Sequence, residues 1–239
     1  MKFEPTQPGN PHRLTIQQHI FPSACIARFC DLSGRVRVKS RKSNKLSLVT
    51  GDDTRFKTQR SWDQWAEDGA AIYEKAYQKV ADRYMTQVGL LPAADPAVVT
   101  QMFCSWNARF RLKDAPQEPV ELKGIPPETC FSKDDEERCE KMGVVVLRSD
   151  STVPARSRTG TQLVSCTNFL WHRFKNTQWV CVAFPQSNLS VPDHFELFPY
   201  LPLSPTRAFV DRSRETWTAQ HLNKVAEEYA AGYFFCRLP

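Results

Sequence analysis

At residues 35–49 the chain reads RVRVKSRKSNKLSLV. Alternate side chains of a strand point to opposite faces, so the two valines at the start of this segment share one face. The other face collects the basic side chains Arg35, Arg37, Lys39 and Arg41. Lys42 and Lys45 add charge at a turn through Ser43 and Asn44. The segment therefore predicts a β-hairpin with a row of positive charge along its first strand.

This row of charge supports two interpretations, and the sequence leaves both open. Same-face positions of a strand lie ~6.6 Å apart, close to the phosphate spacing of a nucleic acid strand, and Arg offers a planar fork of donors. The row could therefore hold a phosphate backbone. Alternatively, Lys and Arg could keep other strands away from the edge of a sheet. No aromatic residue is interleaved with the row, although such interleaving is typical of single-strand binding.

The composition is that of a folded protein whose positive charge is local. The chain has 239 residues, of which 41% are hydrophobic and 24% charged, as expected for one well-packed domain. The formal net charge is +6, yet residues 1–60 carry twelve Lys and Arg against four Asp and Glu. The remaining chain is therefore close to neutral, and a polyanionic partner would meet the N-terminal region.

The sequence also indicates where the protein resides. No apolar run approaches the ~18 residues of a membrane helix, and the polar start lacks the apolar centre of a signal peptide. We therefore expect a cytoplasmic protein without a membrane partner. Eight cysteines are spread along the chain, mostly inside apolar runs, which favours reduced, packed thiols over structural disulfides.

Helix and strand signals are interleaved along the chain and predict the α+β class, with a single domain built on a mixed sheet and several packed helices. The predicted regions are a basic N-terminal hairpin region at 19–51, a helical middle at 61–112, a mobile proline-rich loop at 113–132, and a C-terminal sheet and helix at 143–239.

Capping residues and apolar spacing place the helices. Ser61 with Gln64 three residues later predicts a capping box that opens a helix towards Tyr84. Helical spacing predicts that its buried stripe comprises Trp62, Trp65, Gly69, Ile72, Ala76 and Val80. Further helices are expected at 95–110, 133–141, 163–174 and 216–233.

Apolar runs place the remaining strands. The runs at 144–147 and 179–184 are continuous, which predicts central strands covered on both sides. Shorter strands are expected at 195–198 and 207–210.

Two motifs near the ends of the chain carry a resemblance. The first, His19-Ile20-Phe21-Pro22, opens the fold, and the second, Pro202-Leu203-Ser204-Pro205, precedes a helix with Asn223. The chain is similar to an uncharacterised bacterial family, a domain of unknown function, whose members start His-Tyr-[Val/Ile]-Pro and carry Pro-Leu-Ser-Pro near the C-terminus. The resemblance implies a related fold, and it implies no chemistry.

The first functional hypothesis is an enzyme. Imidazole titrates near neutral pH, so His19 could act as a general base together with Asp193 or Glu67. With the basic row holding a phosphate backbone, this set predicts a nuclease-like effector, for example a toxin or a phage-defence component. The hypothesis requires these side chains and the basic strand to meet on one concave surface.

The second hypothesis is a binding module without catalysis. Here the same cations, Arg35, Arg37, Lys39, Arg41, Lys42 and Lys45, dock nucleic acid or an acidic protein partner. No metal site is predicted, because His12, His19, Cys25 and Cys30 match no zinc spacing. The nine glycines are scattered and form no phosphate-cradling loop, and the sequence indicates no particular cofactor.

Overall fold

The structure is a computed structural model, and it describes residues 3–85, 89–90, 95–124, 131–195, 198–213 and 217–238. Helices and sheets contribute to one hydrophobic core, so the expected α+β class is confirmed. The helices are α1 (Ser23–Ala27), α2 (Gln64–Tyr84), α3 (Asp95–Leu112), α4 (Lys133–Lys141), α5 (Ala155–Phe174) and α6 (Ala219–Tyr229), with a 3-10 turn η1 at Thr54–Phe56.

The strands form several sheets instead of the one mixed sheet that we expected, and every pairing within the described ranges is antiparallel. The strands are β1 (Gln17–His19), β2 (Arg35–Ser40), β3 (Leu46–Thr50), β4 (Lys57–Gln59), β5 (Gly89–Leu90), β6 (Val120–Glu121), β7 (Thr152–Val153), β8 (Trp179–Ala183), β9 (Val191–Pro192), β10 (Tyr200–Ser204), β11 (Arg207–Asp211) and β12 (Tyr233–Cys236). The two larger sheets have the orders β10-β11-β8-β5 and β3-β2-β12-β9, and β1-β4 and β6-β7 form small pairs.

Helix α2 begins two residues later than its capping signal predicts. Asp63 is the N-cap, and its side chain accepts a hydrogen bond from the Ala66 amide, so the expected Ser61 cap is wrong. The buried stripe is also shifted: Trp65 is 50% exposed and Ile72 is exposed, although Trp62 is fully buried. The helix instead buries Ala66, Ala70, Tyr77, Val80, Ala81 and Tyr84. Small alanines on this stripe permit a close approach of the neighbouring helices, which outweighs the apolar size of Trp65.

The expected strand at 144–147 is absent, because the first residue of this apolar run takes part in the C-terminal cap of helix α4. Gly143 has a φ of +76°, a conformation that favours glycine. The Val144 amide donates to the Cys139 carbonyl at 2.8 Å, and the Gly143 amide donates to the Glu140 carbonyl at 3.0 Å. These two bonds define a Schellman motif. Val144 and Val145 are consequently exposed.

Several other boundaries agree with the sequence, but the expected helix at 216–233 is too long, because α6 ends at Tyr229 and Tyr233 begins β12. Helix α4 has the predicted bounds, helix α3 begins at Asp95, and the predicted inward face of α5 (Leu163, Thr167, Leu170 and Phe174) is buried. β8 and β11 occupy the runs expected to form strands. Residues 195 and 198 are not in a strand, and 196–197 lie outside the described ranges.

The basic hairpin is confirmed, and it belongs to the sheet β3-β2-β12-β9. Strand β2 pairs with β3 on one side, with Arg37 opposite Leu48. It pairs with β12 on the other side, with Arg37 opposite Cys236. The strand that carries the charge is therefore internal to its sheet. No helix within the described ranges has the length and apolar character required to cross a bilayer.

Candidate nucleic-acid interface

Strand β2 separates its side chains onto two different surfaces. Val36 and Val38 are fully buried in the core. Arg35, Arg37 and Lys39 alternate with them and point to the opposite face, where Arg35 is exposed and the other two are partly exposed. We call these three cations the basic ladder. None of them forms an ion pair with another described residue.

Strand β12 supplies the aromatic side chain that the basic segment lacks. Phe234 lies opposite Lys39 and Cys236 lies opposite Arg37, so both side chains share the ladder's face. The Lys39 ammonium lies 5.7 Å from the centre of the Phe234 ring, and Arg37 Nη2 lies 3.5 Å from Cys236 Sγ. Phe234 is not among the binding residues expected from the sequence, although the run Tyr-Phe-Phe-Cys after Gly232 is typical of a strand.

Arg41 does not extend the ladder, because β2 ends at Ser40. Its Nη1 donates to the carbonyls of Glu228 and Ala230, at 2.5 Å and 2.8 Å. These carbonyls lie at the C-terminal end of α6, where a helix leaves acceptors without intrahelical partners. The two hydrogen bonds of Arg41 therefore link the C-terminal end of α6 to the hairpin. Lys42 and Lys45 are exposed in the turn beyond the strand.

A groove runs along the ladder between the sheet and helix α6. One part of it has a volume of about 370 Å³, and an adjoining part of about 340 Å³ shares Lys39, Phe234 and Glu227 with the first. Asn223, the helix residue of the C-terminal motif, holds the wall in place. Its side chain accepts from the Ser190 amide at 2.8 Å and donates to the Asn188 carbonyl at 3.1 Å. The groove thus combines Arg37 and Lys39 of the ladder with amide groups, one aromatic ring and the carboxylates of Glu227 and Glu228.

His19 is at the end of β1, opposite Lys57 on β4. Its Nε2 lies 3.9 Å from a carboxylate oxygen of Asp52, which itself pairs with Lys57. Burial lowers the pKa of His19, and the charge of Lys57 lowers it further. The imidazole is therefore mainly neutral at pH 7, when it can accept a proton.

Glu67 lies in a charged cluster between α2 and α3. It accepts a hydrogen bond from the Trp62 indole at 2.6 Å and lies 3.8 Å from the buried guanidinium of Arg109. Arg109 also pairs with Glu74. Burial raises the pKa of Glu67. The charges of Arg109 and Glu74 act on both His19 and Glu67, so the structure brings these two predicted residues into one electrostatic neighbourhood.

Asp193 is placed elsewhere and supports a turn. Its carboxylate accepts from the backbone amides of Ala231 and Gly232 at 2.8 Å, and from that of Tyr233 at 3.3 Å. Burial raises its pKa, although these amides act in the opposite sense. Since its oxygens are occupied by the segment that leads into β12, we assign Asp193 a structural role.

The ladder and the segment that carries His19 lie on opposite faces of one sheet. Phe235 alternates with Phe234 and points towards the core. The rings of Phe21, two residues after His19, and of Phe56, next to Lys57, lie 6.2 Å and 5.2 Å from the Phe235 ring. The convergence that the enzyme hypothesis requires is therefore not present between the ladder and His19.

Within the described ranges, no three His, Cys, Asp or Glu side chains form a group that could hold a metal ion. The seven cysteines of those ranges are free thiols, and Cys130 lies outside them. Comparisons of the chain with protein-family models, with curated proteins and with solved structures found no match. The resemblance drawn from the two end motifs stays a prediction.

Proposed function

We propose that the protein is a non-catalytic binding module that holds single-stranded nucleic acid in the groove beside the basic ladder. The observation that carries this proposal is that Arg35, Arg37 and Lys39 line one face and have no ion-pair partner among the residues that the structure describes. Lys and Arg side chains form strong charge-assisted hydrogen bonds with carboxylates and phosphates, so a row of them without carboxylate partners can bind an anion from solution.

The geometry of the row favours a phosphate backbone over an acidic peptide. Ladder positions are ~6.6 Å apart, close to the spacing of consecutive phosphates along a nucleic acid strand. Phe234 lines both parts of the groove although only 8% of it is exposed, and amide groups lie beside it. Single-strand binding combines aromatic and polar contacts of this kind with a cationic track. The cytoplasmic location expected from the sequence stays part of this proposal.

The test is a binding titration with fluorescently labelled single-stranded and duplex DNA and RNA. The double variant Arg37→Glu with Lys39→Glu is expected to weaken single-strand binding at least about tenfold, because two phosphate contacts become repulsive. The matched control is Lys75→Glu with Lys79→Glu, which makes the same charge change at exposed positions of α2. Equal affinities for both double variants would reject the ladder as the binding surface. If the protein binds polyglutamate and no nucleic acid, the ladder binds an acidic protein partner instead.

A second candidate is the nuclease-like effector of toxin or phage-defence type, and one observation favours it. His19 and Glu67, both with pKa values displaced by burial, share the neighbourhood of Arg109. Such displaced pairs are typical of acid–base sites. Incubating the same labelled substrates with Mg²⁺, Mn²⁺ or chelator tests it. Cleavage that is lost in His19→Ala would replace the binding module by the enzyme.

A further inference from the structure

The outer edge of β3 carries an inference that stands apart from nucleic-acid binding. Within the described ranges β3 pairs only with β2, so its other side has no neighbouring strand. The Ser40 amide donates to the Lys45 carbonyl, and the Gly51 amide donates to the Gly34 carbonyl. Bonded pairs alternate along an antiparallel ladder, so the backbone groups of Ser47 and Val49 face β2. Those of Leu46, Leu48 and Thr50 face outwards.

The strand itself carries none of the residues by which proteins normally prevent edge strands from pairing, although the Arg55 guanidinium donates to the Ser47 hydroxyl. Its five residues, Leu-Ser-Leu-Val-Thr, contain no charge and no proline. Leu46 is 56% exposed and Leu48 is 50% exposed. Edges of this kind are usually protected by a charged side chain, a bulge or a covering loop. An uncharged edge with outward amides and exposed leucines is therefore suited to accept another strand.

The charges that flank β3 identify the partner strand. Lys45 precedes the strand, and Asp52 and Asp53 follow it. An antiparallel copy of the same strand, centred on Leu48, brings Lys45 of each chain opposite Gly51 of the other and next to Asp52. Opposite charges then meet at both ends of the pairing, and Leu48 meets Leu48 at its centre.

We propose that β3 is the dimerisation edge of this protein and that its occupant is β3 of a second copy. About six backbone hydrogen bonds would form, because the two Leu48 residues exchange two bonds and each of the two Leu46–Thr50 pairs exchanges two more. The two-fold axis is perpendicular to the sheet, so the pairing is isologous and closes.

The dimer joins two four-stranded sheets into one continuous sheet. The two basic ladders then lie on the same face, separated by three inter-strand steps, or about 14 Å. The leucines lie between them, so a ligand that reaches one ladder can continue to the other.

The experiment measures molar mass by light scattering and sedimentation over about 1–100 μM protein, a range that brackets the Kd values typical of weak dimers. The wild-type chain is expected to dimerise. Leu48→Lys and Leu48→Glu should each be monomeric, because like charges then lie directly opposite each other across the axis. An equimolar mixture of the two variants should recover the dimer, since Lys then meets Glu. The matched control is Leu32→Lys, a fully exposed leucine outside the strands, which should leave the dimer intact.

A monomeric wild-type chain over this range would overturn the proposal, as would a dimer that persists in Leu48→Lys. Misfolded variants could not recover the dimer on mixing. Recovery would therefore show that the variants are folded and that residues 48 of the two chains face each other in the dimer. Amide hydrogen exchange in the wild-type chain gives a second test. Protection of the Leu48 amide should rise with protein concentration, whereas that of Val49, which bonds to β2, should not; equal behaviour of the two amides would reject this edge.

Discussion

Two charged regions of this molecule differ in how their cations are neutralised. The basic ladder holds three cations on one face, and none of them has an ion-pair partner in the part of the chain that the structure describes. A second region, which we call the buried ion cluster, joins the N-terminal segment to α4 and α5. Its members are Glu4, Arg60, Lys133, Glu136, Glu140, Arg148 and Arg156.

Arg156 lies at the centre of the buried ion cluster and is only 2% exposed. Its three guanidinium nitrogens donate to Glu140, Glu4 and Glu136 at 2.6, 2.6 and 2.5 Å. Every charge that is removed from water here has a partner, so the cluster serves the fold. In the ladder, the three cations contact Ser33, Cys236 and Phe234 and form no ion pair within the described ranges, so their charges are available to a ligand.

The largest expected effect concerns the centre of the buried ion cluster. Arg156→Met should lower the free energy of unfolding by about 3–5 kcal/mol, because it leaves three carboxylates without their shared partner. Denaturant titration measures this loss. Arg173→Met on the exposed side of the same helix is the control and should cost below about 0.5 kcal/mol. Nucleic-acid affinity should not change in either variant while it is folded; a weakened affinity in Arg156→Met would erase the contrast between the two regions.

Asp63 at the border of the buried ion cluster should make stability depend on pH. Its pKa is raised to about 6, mainly by burial and in part by the charge of Glu140, while the hydrogen bond from the Ala66 amide and the charge of Arg156 act to lower it. Because the folded-state pKa lies above the unfolded value of 3.8, the stability that this carboxyl contributes is present below pH 3.8 and is lost as the pH rises to about 6.

Asp63→Asn keeps an oxygen that can cap the Ala66 amide and removes the titration. Relative to wild type, this variant should gain about 1–3 kcal/mol between pH 4 and pH 7. Urea titrations at both pH values give the difference. A constant difference between variant and wild type would show that Asp63 ionises without penalty.

Salt dependence sharpens the contrast within the basic segment itself. Arg37→Ala should reduce the slope of log K against log salt by about 0.7, the value for one lost contact to a single strand. Arg41→Ala should leave this slope unchanged and lower stability by about 1 kcal/mol, since its hydrogen bonds go to the carbonyls of Glu228 and Ala230. If both variants change the slope equally, Arg41 contacts the ligand as well.

The smallest expected effect concerns the carboxylate of the groove. Glu227 lines both of its parts, so it opposes a polyanion there. Glu227→Gln should strengthen single-strand binding by about two- to fivefold at low salt, an effect of surface electrostatics that salt should abolish. Glu228 lines only one part of the groove, so Glu228→Gln is the matched control. Weaker binding in Glu227→Gln would mean that this carboxylate contacts the ligand directly.

Local signals in the sequence predicted the parts of the fold that local physics decides. The alternation of Val36 and Val38 with cations predicted the two faces of β2. The expected start of α4 at Lys133 agrees with the structure, where Ser132 forms a capping box. The wrong predictions concern residues whose burial depends on elements that are distant in the sequence. Whether Trp65 or Ala66 is buried depends on which helices pack against α2, and apolar spacing alone cannot distinguish them.

The candidate site was predictable only in part for the same reason. The cations of the ladder are adjacent in sequence, so their common face follows from periodicity. Phe234 reaches them from the other end of the chain, and Asp193 is occupied by amides nearly forty residues away. Hydrogen bonds between such distant segments leave no periodic pattern in the sequence.

The pairing of β2 with β12 also sets an order of events during synthesis. Arg37 and Cys236 are separated by 199 positions, so the second strand leaves the ribosome roughly 10–40 s after the first at ~5–20 residues per second. Throughout this interval one edge of β2 has no partner strand. Its alternating cations would then repel the edges of other nascent chains, which is the protective role that Lys and Arg have on unpaired strands. The residues that line the groove in the finished protein would thus guard the hairpin against misassembly before the groove exists.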